Sequence, residues 1–264
     1  MSILYDSIFS STSFFQSDAW IFSVYIIVTY EIVFWLCNSF LIYIELFDIS
    51  SIDQYRIQKH KKKLRFQPDI IRLMIQQTIH NQISFVFLTP SLYYIFNYFG
   101  HVDIQGVRPL WSTILFQIGL FILSEDTIFF WTHYLLHTPW LYKHIHKKHH
   151  VYKQPTGVTA VLSDPIEGIV TQFAVWFMPV LLKETHIFTL CLWVTIRVYQ
   201  TVIAHSGYDL PYISTQYWLP ELMPGALAHD FHHQHGKWSY GSFFSIWDQL
   251  MGTHRLSTSK TATK

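Results

Sequence analysis

Charge is what this chain has least of. Of its 264 residues only 13% are Asp, Glu, Lys or Arg, about half the roughly 25% of an ordinary soluble domain. Those charges nearly cancel, to +1 with histidine neutral, so the basic footprint of a nucleic-acid-binding protein is missing. Glycine and proline are sparse at 10 each, which excludes a collagen-like repeat and a flexible linker and leaves one domain, residues 1–264, as the economical organisation. There are only 2 cysteines. Cys37 and Cys191 lie in apolar runs, where they read as small buried hydrophobes and not as a disulfide framework. Several motifs are also missing: the glycine fingerprint of a dinucleotide fold, the His-Pro-Gly-Gly of a haem domain, the His-Glu-x-x-His of zinc proteases and the Glu-x-x-His of soluble carboxylate-bridged bundles.

Apolar residues fill the space that charge leaves, at 50% of the chain with 22 Phe, 16 Tyr and 10 Trp. A hydrocarbon core about 30 Å thick needs about 20 helical residues at about 1.5 Å each. Runs at 20–47, 83–99 and 110–131, with a shorter pair at 169–182 and 186–204, predict four or five membrane spans. The first residues have no basic region and no small-residue cleavage site, so a cleaved signal peptide is not expected. Cationic residues stay on the cytosolic side. None precedes the first run, whereas Arg56, Lys59, Lys61, Lys62, Lys63, Arg65 and Arg72 follow it, and the opposite loops hold only Arg108 and Lys183. An even number of crossings then returns the chain to the cytosol before His133 and again before His205. The expected fold is an all-α polytopic membrane protein with a cytosolic helical cap.

Histidine is the anomaly, with 16 in the chain. His133 and His137 are four apart at the end of the third run, a spacing that puts both rings on one helical face. His146, His149 and His150 repeat the pattern His-x-x-His-His, and so do His229, His232 and His233, each expected on a helical face; His205 stands between the two. All lie at span ends on one side. Imidazole suits zinc, copper, iron and nickel alike, but a lone zinc takes four ligands, and nine histidines imply two metals. An all-histidine pair beside an apolar pocket suits dioxygen activation and attack on an unactivated C–H bond.

These boxes, in this order and spacing, resemble the fatty acid hydroxylase/sterol desaturase superfamily of membrane non-haem di-iron enzymes. The likeness runs from Glu125-Asp126-Thr127 to Trp247-Asp248 and Gly252-Thr253, so the histidine-box region is about 120–255. Within it, residues 142–150, Trp193 to Arg197, His205 to Asp209 and His229 to His233 are most similar to 4-methylsterol monooxygenases. Methylsterol oxidases often carry histidine where this chain has Phe129, Thr138 and Ala228, and Phe129-Phe130 with Pro139 to Tyr142 is closer to cholesterol 25-hydroxylase. The resemblance implies two non-haem iron ions, dioxygen, a sterol or other lipid substrate and location in the endoplasmic reticulum. It also implies electrons from NAD(P)H through cytochrome b5 and its reductase, docking near Lys143, Lys147, Lys148 and Lys153. Hydroxylation at a 4-methylsterol is the favoured reaction, with a side-chain sterol hydroxylase or another lipid hydroxylase or desaturase as the alternative.

Carboxylates near the boxes are candidate ligands or hydrogen-bond partners of ligand rings: Glu125 and Asp126 inside an apolar run, where charge is costly, and Asp209, Asp230 and Asp248. Asp209 also reads as a turn residue after Gly207. Arg197 reads as a snorkelling side chain or as a substrate contact. His144 and His235 are off the spacing and read as solvent-exposed. Two other classes are open. A metal transporter would place its histidines at the bilayer midplane, whereas these cluster at span ends; a non-catalytic lipid-binding scaffold would have lost box histidines, which are all present.

Overall fold

The computed structural model describes residues 17–59, 68–214, 217, 219, 221–223 and 225–256. Lys61, Lys62, Lys63 and Arg65, which contribute to the sidedness reading, lie outside the described residues. Helices follow one another as α1 (Asp18–Leu46), α2 (Ser50–Asp53), α3 (Pro68–Phe99), α4 (Trp111–Leu136), α5 (Pro139–His144), α6 (Pro165–Leu181), α7 (Ile187–Ala204), α8 (Gly225–His235) and α9 (Ile246–Leu250). Two 3₁₀ segments, His146–Val151 and Gly157–Val161, sit between α5 and α6.

Among the described residues three helices, α1, α4 and α7, are long and apolar enough to cross a membrane. Their outward faces carry side chains that water would not tolerate in such density, among them Leu36 on α1 and Phe116 on α4, exposed by 71% and 68%. Inward faces interleave aromatic rings, with Phe22, Phe96, Phe121 and Trp193 fully buried. The Trp193 indole N–H donates to the Val175 carbonyl, 3.1 Å, so its polar edge is satisfied at depth. Lipid is as apolar as leucine, so polar ties help bring the spans together. Glu31 on α1 accepts from Gln82 on α3 at 2.7 Å, and Arg197 on α7 lies 2.8 Å from Glu125 on α4.

The long helices run alternately. At one end, Asp18 at the start of α1 accepts from Gln105, 3.2 Å, and a two-residue parallel ladder pairs β1 (Val102–Asp103) with β2 (Thr185–His186). At the other end, Glu45 near the close of α1 meets Arg56 at 2.8 Å, and α4 and α7 run out at His137 and His205. Helices α3 and α6 are the return legs. The first half of α3 leans on the cap, where Met74 packs with Tyr152 and Leu162; a span expected at 83–99 is therefore the far half of a 32-residue helix. Helix α4 continues past the expected end at 131 to Leu136, which carries His133 inside the cap.

Candidate metal centre

All nine box histidines converge at the cap end of α4 and α7, in two adjoining clusters. His133, His137, His146, His150 and His232 form one, and His149, His205, His229 and His233 the other; within each, one nitrogen per ring lies within 4.8 Å of the rest. On α8, His229 and His233 share a strip four residues apart and face the second cluster, while His232 is turned to the first. The same division recurs in the earlier box, where His146 and His150 go to one cluster and His149 to the other. That box was expected on an α-helix and lies instead on a 3₁₀ segment. Its flanks are both pinned, by α5 before it and by the Tyr152 carbonyl that binds His233 after it, and a short tethered piece takes the tighter coil.

In the five-ring cluster the Nε2 atoms of His133 and His146 are 3.2 Å apart, those of His146 and His150 3.0 Å, of His150 and His232 3.1 Å, and of His232 and His137 3.1 Å. In the four-ring cluster His149 to His205 is 3.5 Å, His205 to His229 2.8 Å and His229 to His233 3.1 Å. The clusters share a wall, with the His150 and His233 ring centroids 4.8 Å apart.

The other ring nitrogens say what lies at these meeting points. Nδ1 of His133, His137, His149, His205, His232 and His233 donates to the carbonyls of Tyr240, Gly236, Leu162, Thr201, Trp238 and Tyr152, at 2.7 to 3.1 Å. A carbonyl only accepts, so Nδ1 carries the hydrogen and a neutral ring is left with a bare lone pair on Nε2. His137 and His232 therefore aim lone pairs at each other across 3.1 Å. That arrangement is repulsive unless a cation lies between them. Burial keeps the rings neutral, pushing His137 down to about 4 and His205 to about 3 and drawing His229, His232 and His233 well down too, with neighbouring rings adding to the shift. Neutral, oriented imidazoles are the state that binds a transition metal, and two clusters can hold two ions.

None of the five candidate carboxylates is among the converging ligand atoms, and two of them, Asp126 and Asp248, hold backbone amides. Asp126 accepts from the amides of Phe243 and Phe244, both 2.8 Å. Asp248 accepts from the amides of Tyr240 and Gly241, at 2.9 and 2.8 Å, and Tyr240 supplies the carbonyl that orients His133. Asp230 accepts from Gln58, 3.0 Å, and from Gln234. Asp209 follows Gly207, whose φ is +72°, and its amide donates to Tyr55. Glu125 pairs with Arg197, so Arg197 does not snorkel but is buried beside that carboxylate. A carboxylate that does approach a ring is Glu167, whose Oε2 lies 2.9 Å from His146 Nδ1, though out of line for a hydrogen bond. Sequence reasoning missed it because an acidic residue in the first turn of a helix is ordinary. His144 and His235 are exposed and bond the Trp140 and Phe231 carbonyls four residues back.

A small cavity adjoins the four-ring cluster, walled by His205 and His229 and by the small residues Ala204, Gly225, Ala228 and Gly241.

A family model described as fatty acid hydroxylase matches residues 118–253. The chain is 34% identical over 232 residues to a very-long-chain aldehyde decarbonylase, GL1-11, of Oryza sativa subsp. indica, covering 86% of this chain and 83% of that one. It is 34% identical over 204 residues to the methylsterol monooxygenase erg25B of Aspergillus fumigatus, covering 75% and 67%. It is 32% identical over 244 residues to methylsterol monooxygenase 2-1 of Arabidopsis thaliana, covering 86% of each. No solved structure matches with comparable significance.

Proposed function

Because this chain belongs to the fatty acid hydroxylase family of oxygen-dependent enzymes, we propose that it is a membrane di-iron monooxygenase that hydroxylates a sterol, with a 4-methyl group as the preferred target. The observation that carries the metal assignment is the set of Nε2 lone pairs turned inward by carbonyl-bound Nδ1 atoms. The ligands we assign are His133, His137, His146, His150 and His232 for one ion and His149, His205, His229 and His233 for the other. When bound, the two ions supply the activation of dioxygen. The overall change converts C–H, O₂, two electrons and two protons to C–OH and water.

The chain's own groups hold the rings and keep them neutral, and Glu167 and the Tyr240 carbonyl fix His146 and His133. Electrons come from NAD(P)H through cytochrome b5 and its reductase, docking on the exposed Lys143, Lys147, Lys148 and Lys153. The cap faces the cytosol of the endoplasmic reticulum, and the lipid enters from the bilayer. The rice relative named as an aldehyde decarbonylase, of which this chain covers 83%, supports a second reading in which the substrate is a long-chain aldehyde.

Membranes containing the protein, given cytochrome b5, its reductase, NADH and oxygen, are expected to carry 4,4-dimethylsterol to the 4-carboxylate. His149→Ala and His232→Ala should bring the rate to background and lower bound iron, whereas His101→Ala, at the other end of the helices, should not. Full activity in both box variants would end the di-metal reading. Alkane from a long-chain aldehyde, with no sterol product, would move the substrate assignment and leave the metal assignment intact.

A further inference from the structure

We propose that residues 236–240 form a comb of carbonyls that shapes the five-histidine site alone, and that a clasp to residues 253–255 keeps the comb in register. Ser239 is then a positioning residue for one ion of the two. The inference rests on the two-metal reading above and deepens it. Helix α8 ends at His235, and Gly236 stops it with φ +65°, its amide donating to the His232 carbonyl at 2.7 Å. The chain that leaves presents every second carbonyl to a ligand ring. Gly236 accepts from His137 Nδ1, Trp238 from His232 Nδ1 and Tyr240 from His133 Nδ1, at 3.0, 2.7 and 2.9 Å. All three rings belong to the five-histidine cluster. The rings of the other cluster donate elsewhere, to Tyr152 and Leu162, which close the two 3₁₀ segments, and to Thr201 on α7. One site is thus oriented by the loop after α8, and the other by α7 and the earlier chain.

Such a comb does not hold itself. Trp238 and Ser239 have φ of +71° and +54°, a conformation that is unfavourable for residues with a side chain and persists only where the surroundings enforce it. The enforcement comes from the chain beyond α9. The Ser239 amide donates to the Thr253 carbonyl at 2.9 Å. Its buried hydroxyl donates to the Arg255 carbonyl and accepts from the Arg255 amide, the latter at 2.9 Å. The Arg255 guanidinium lies 4.9 Å over the Trp238 ring. Asp248 closes the far side, taking the amides of Tyr240 and Gly241 and also the Thr253 hydroxyl, 2.6 Å. Removing the Ser239 hydroxyl opens the clasp at its centre, lets the two left-handed residues relax, and draws the Trp238 carbonyl off His232.

The test uses the full-length protein in detergent, stripped of metal and titrated with cobalt(II), with metal per chain and visible absorbance read together. Wild type is expected to take two ions. Ser239→Gly removes the hydroxyl and leaves a residue suited to φ +54°, so it adds no backbone strain. It should weaken one ion by about tenfold or more, the scale on which a ligand's supporting neighbours act, and leave the other unchanged. Arg255→Ala should act in the same direction, and Arg255→Lys, which keeps a cation over the ring, should stay near wild type. Two backgrounds identify the ion that responds. With His205→Ala and His229→Ala, which disable the four-histidine site, Ser239→Gly should weaken the ion that remains; with His137→Ala and His232→Ala, which disable the other, it should not. Where a background fails to fold, the two-ion titration of Ser239→Gly decides alone. Equal weakening of both ions, weakening of neither, or a response confined to the four-histidine site would overturn the comb. Wild type that takes one ion or none would instead sink the two-metal reading.

Discussion

His186 and His232 share a side chain and have opposite assignments, and the difference lies in the second nitrogen. His186 caps α7, where its Nδ1 accepts from the Phe188 amide at 3.0 Å and its Nε2 is left to donate to the Gly106 carbonyl at 3.2 Å. In His232 a carbonyl takes the Nδ1 hydrogen, and the lone pair points at three other rings. Glu167 Oε2 lies 2.9 Å from His146 Nδ1, out of line for a hydrogen bond, and by that close contact we propose it as a positioning residue for His146. Glu167→Ala should weaken metal binding by up to about 10- to 100-fold, the scale on which losses of a ligand's supporting neighbour act, while Glu167→Gln keeps a polar oxygen beside the ring and most of the affinity. A chelator titration with metal quantified per chain separates the two, and equal affinity in Glu167→Ala and wild type would refute the role. The buried rings also set a pH dependence for the metal-free protein. His137 and His205 titrate near 4 and 3 when folded, against about 6.5 in the unfolded chain. Below about pH 6.5 the unfolded state binds protons that the folded state refuses, so stability falls as pH falls, by up to about 1.4 kcal/mol per pH unit for each group until its folded value is reached. Thermal midpoints of the metal-free protein in detergent should drop between pH 7 and pH 5; a flat profile would mean that the rings are solvated.

At the scale of elements, the segment 239–245 shows what sequence can and cannot yield. It has no periodicity and no histidine, yet its Tyr240 carbonyl orients His133, and its Ser242 and Gly241 wall the cavity. The carboxylates that hold it, Asp126 and Asp248, were legible as unusual because charge inside or beside an apolar run demands a partner. Their partners were not legible, since they are backbone amides more than 100 positions away for Asp126 and look like every other amide in a sequence. The same limit explains Glu167, hidden at a helix start, and Arg197, whose burial depends on Glu125 facing it from α4. Spans and boxes were legible because periodicity and spacing are local. How the boxes split between two clusters was not, because that depends on where α8 meets the 3₁₀ segment. Asp126→Ala leaves two amides without an acceptor, at about 1–3 kcal/mol each, and should lower the thermal midpoint and loosen His133. Asp126→Asn keeps one acceptor oxygen and should lie much closer to wild type in both midpoint and metal content. Equal loss in the two would show that charge, and not the hydrogen bonds, is what Asp126 contributes.

For the whole molecule, the direction of the helices makes the sidedness testable without reference to chemistry. Helices α1, α4 and α7 all run toward the cap, so α3 and α6 must bring the chain back. Helix α6 has 17 residues, about 25 Å at 1.5 Å each, a little short of the hydrocarbon core. Its cap end is set by Asp164, which accepts from the Ile166 amide, and its far end runs into the loop with Lys183. The cap surface carries the exposed Lys143, Lys147, Lys148 and Lys153, while the far end offers Arg108 and Lys183. By the retention of cations in the cytosol, the proposed cytosolic side is the cap. Single cysteines in place of Lys153 and Arg108, both exposed, put a reporter at each end of the bundle. In sealed vesicles with the cytosolic face outward, an impermeant maleimide should label position 153 at once and position 108 only after detergent is added. Labelling of 108 alone would invert the protein and move the electron donor's docking face to the other compartment. Labelling of both before detergent would mean that α4 does not cross, and the shared end at which nine histidines meet would then need an architecture other than a membrane bundle.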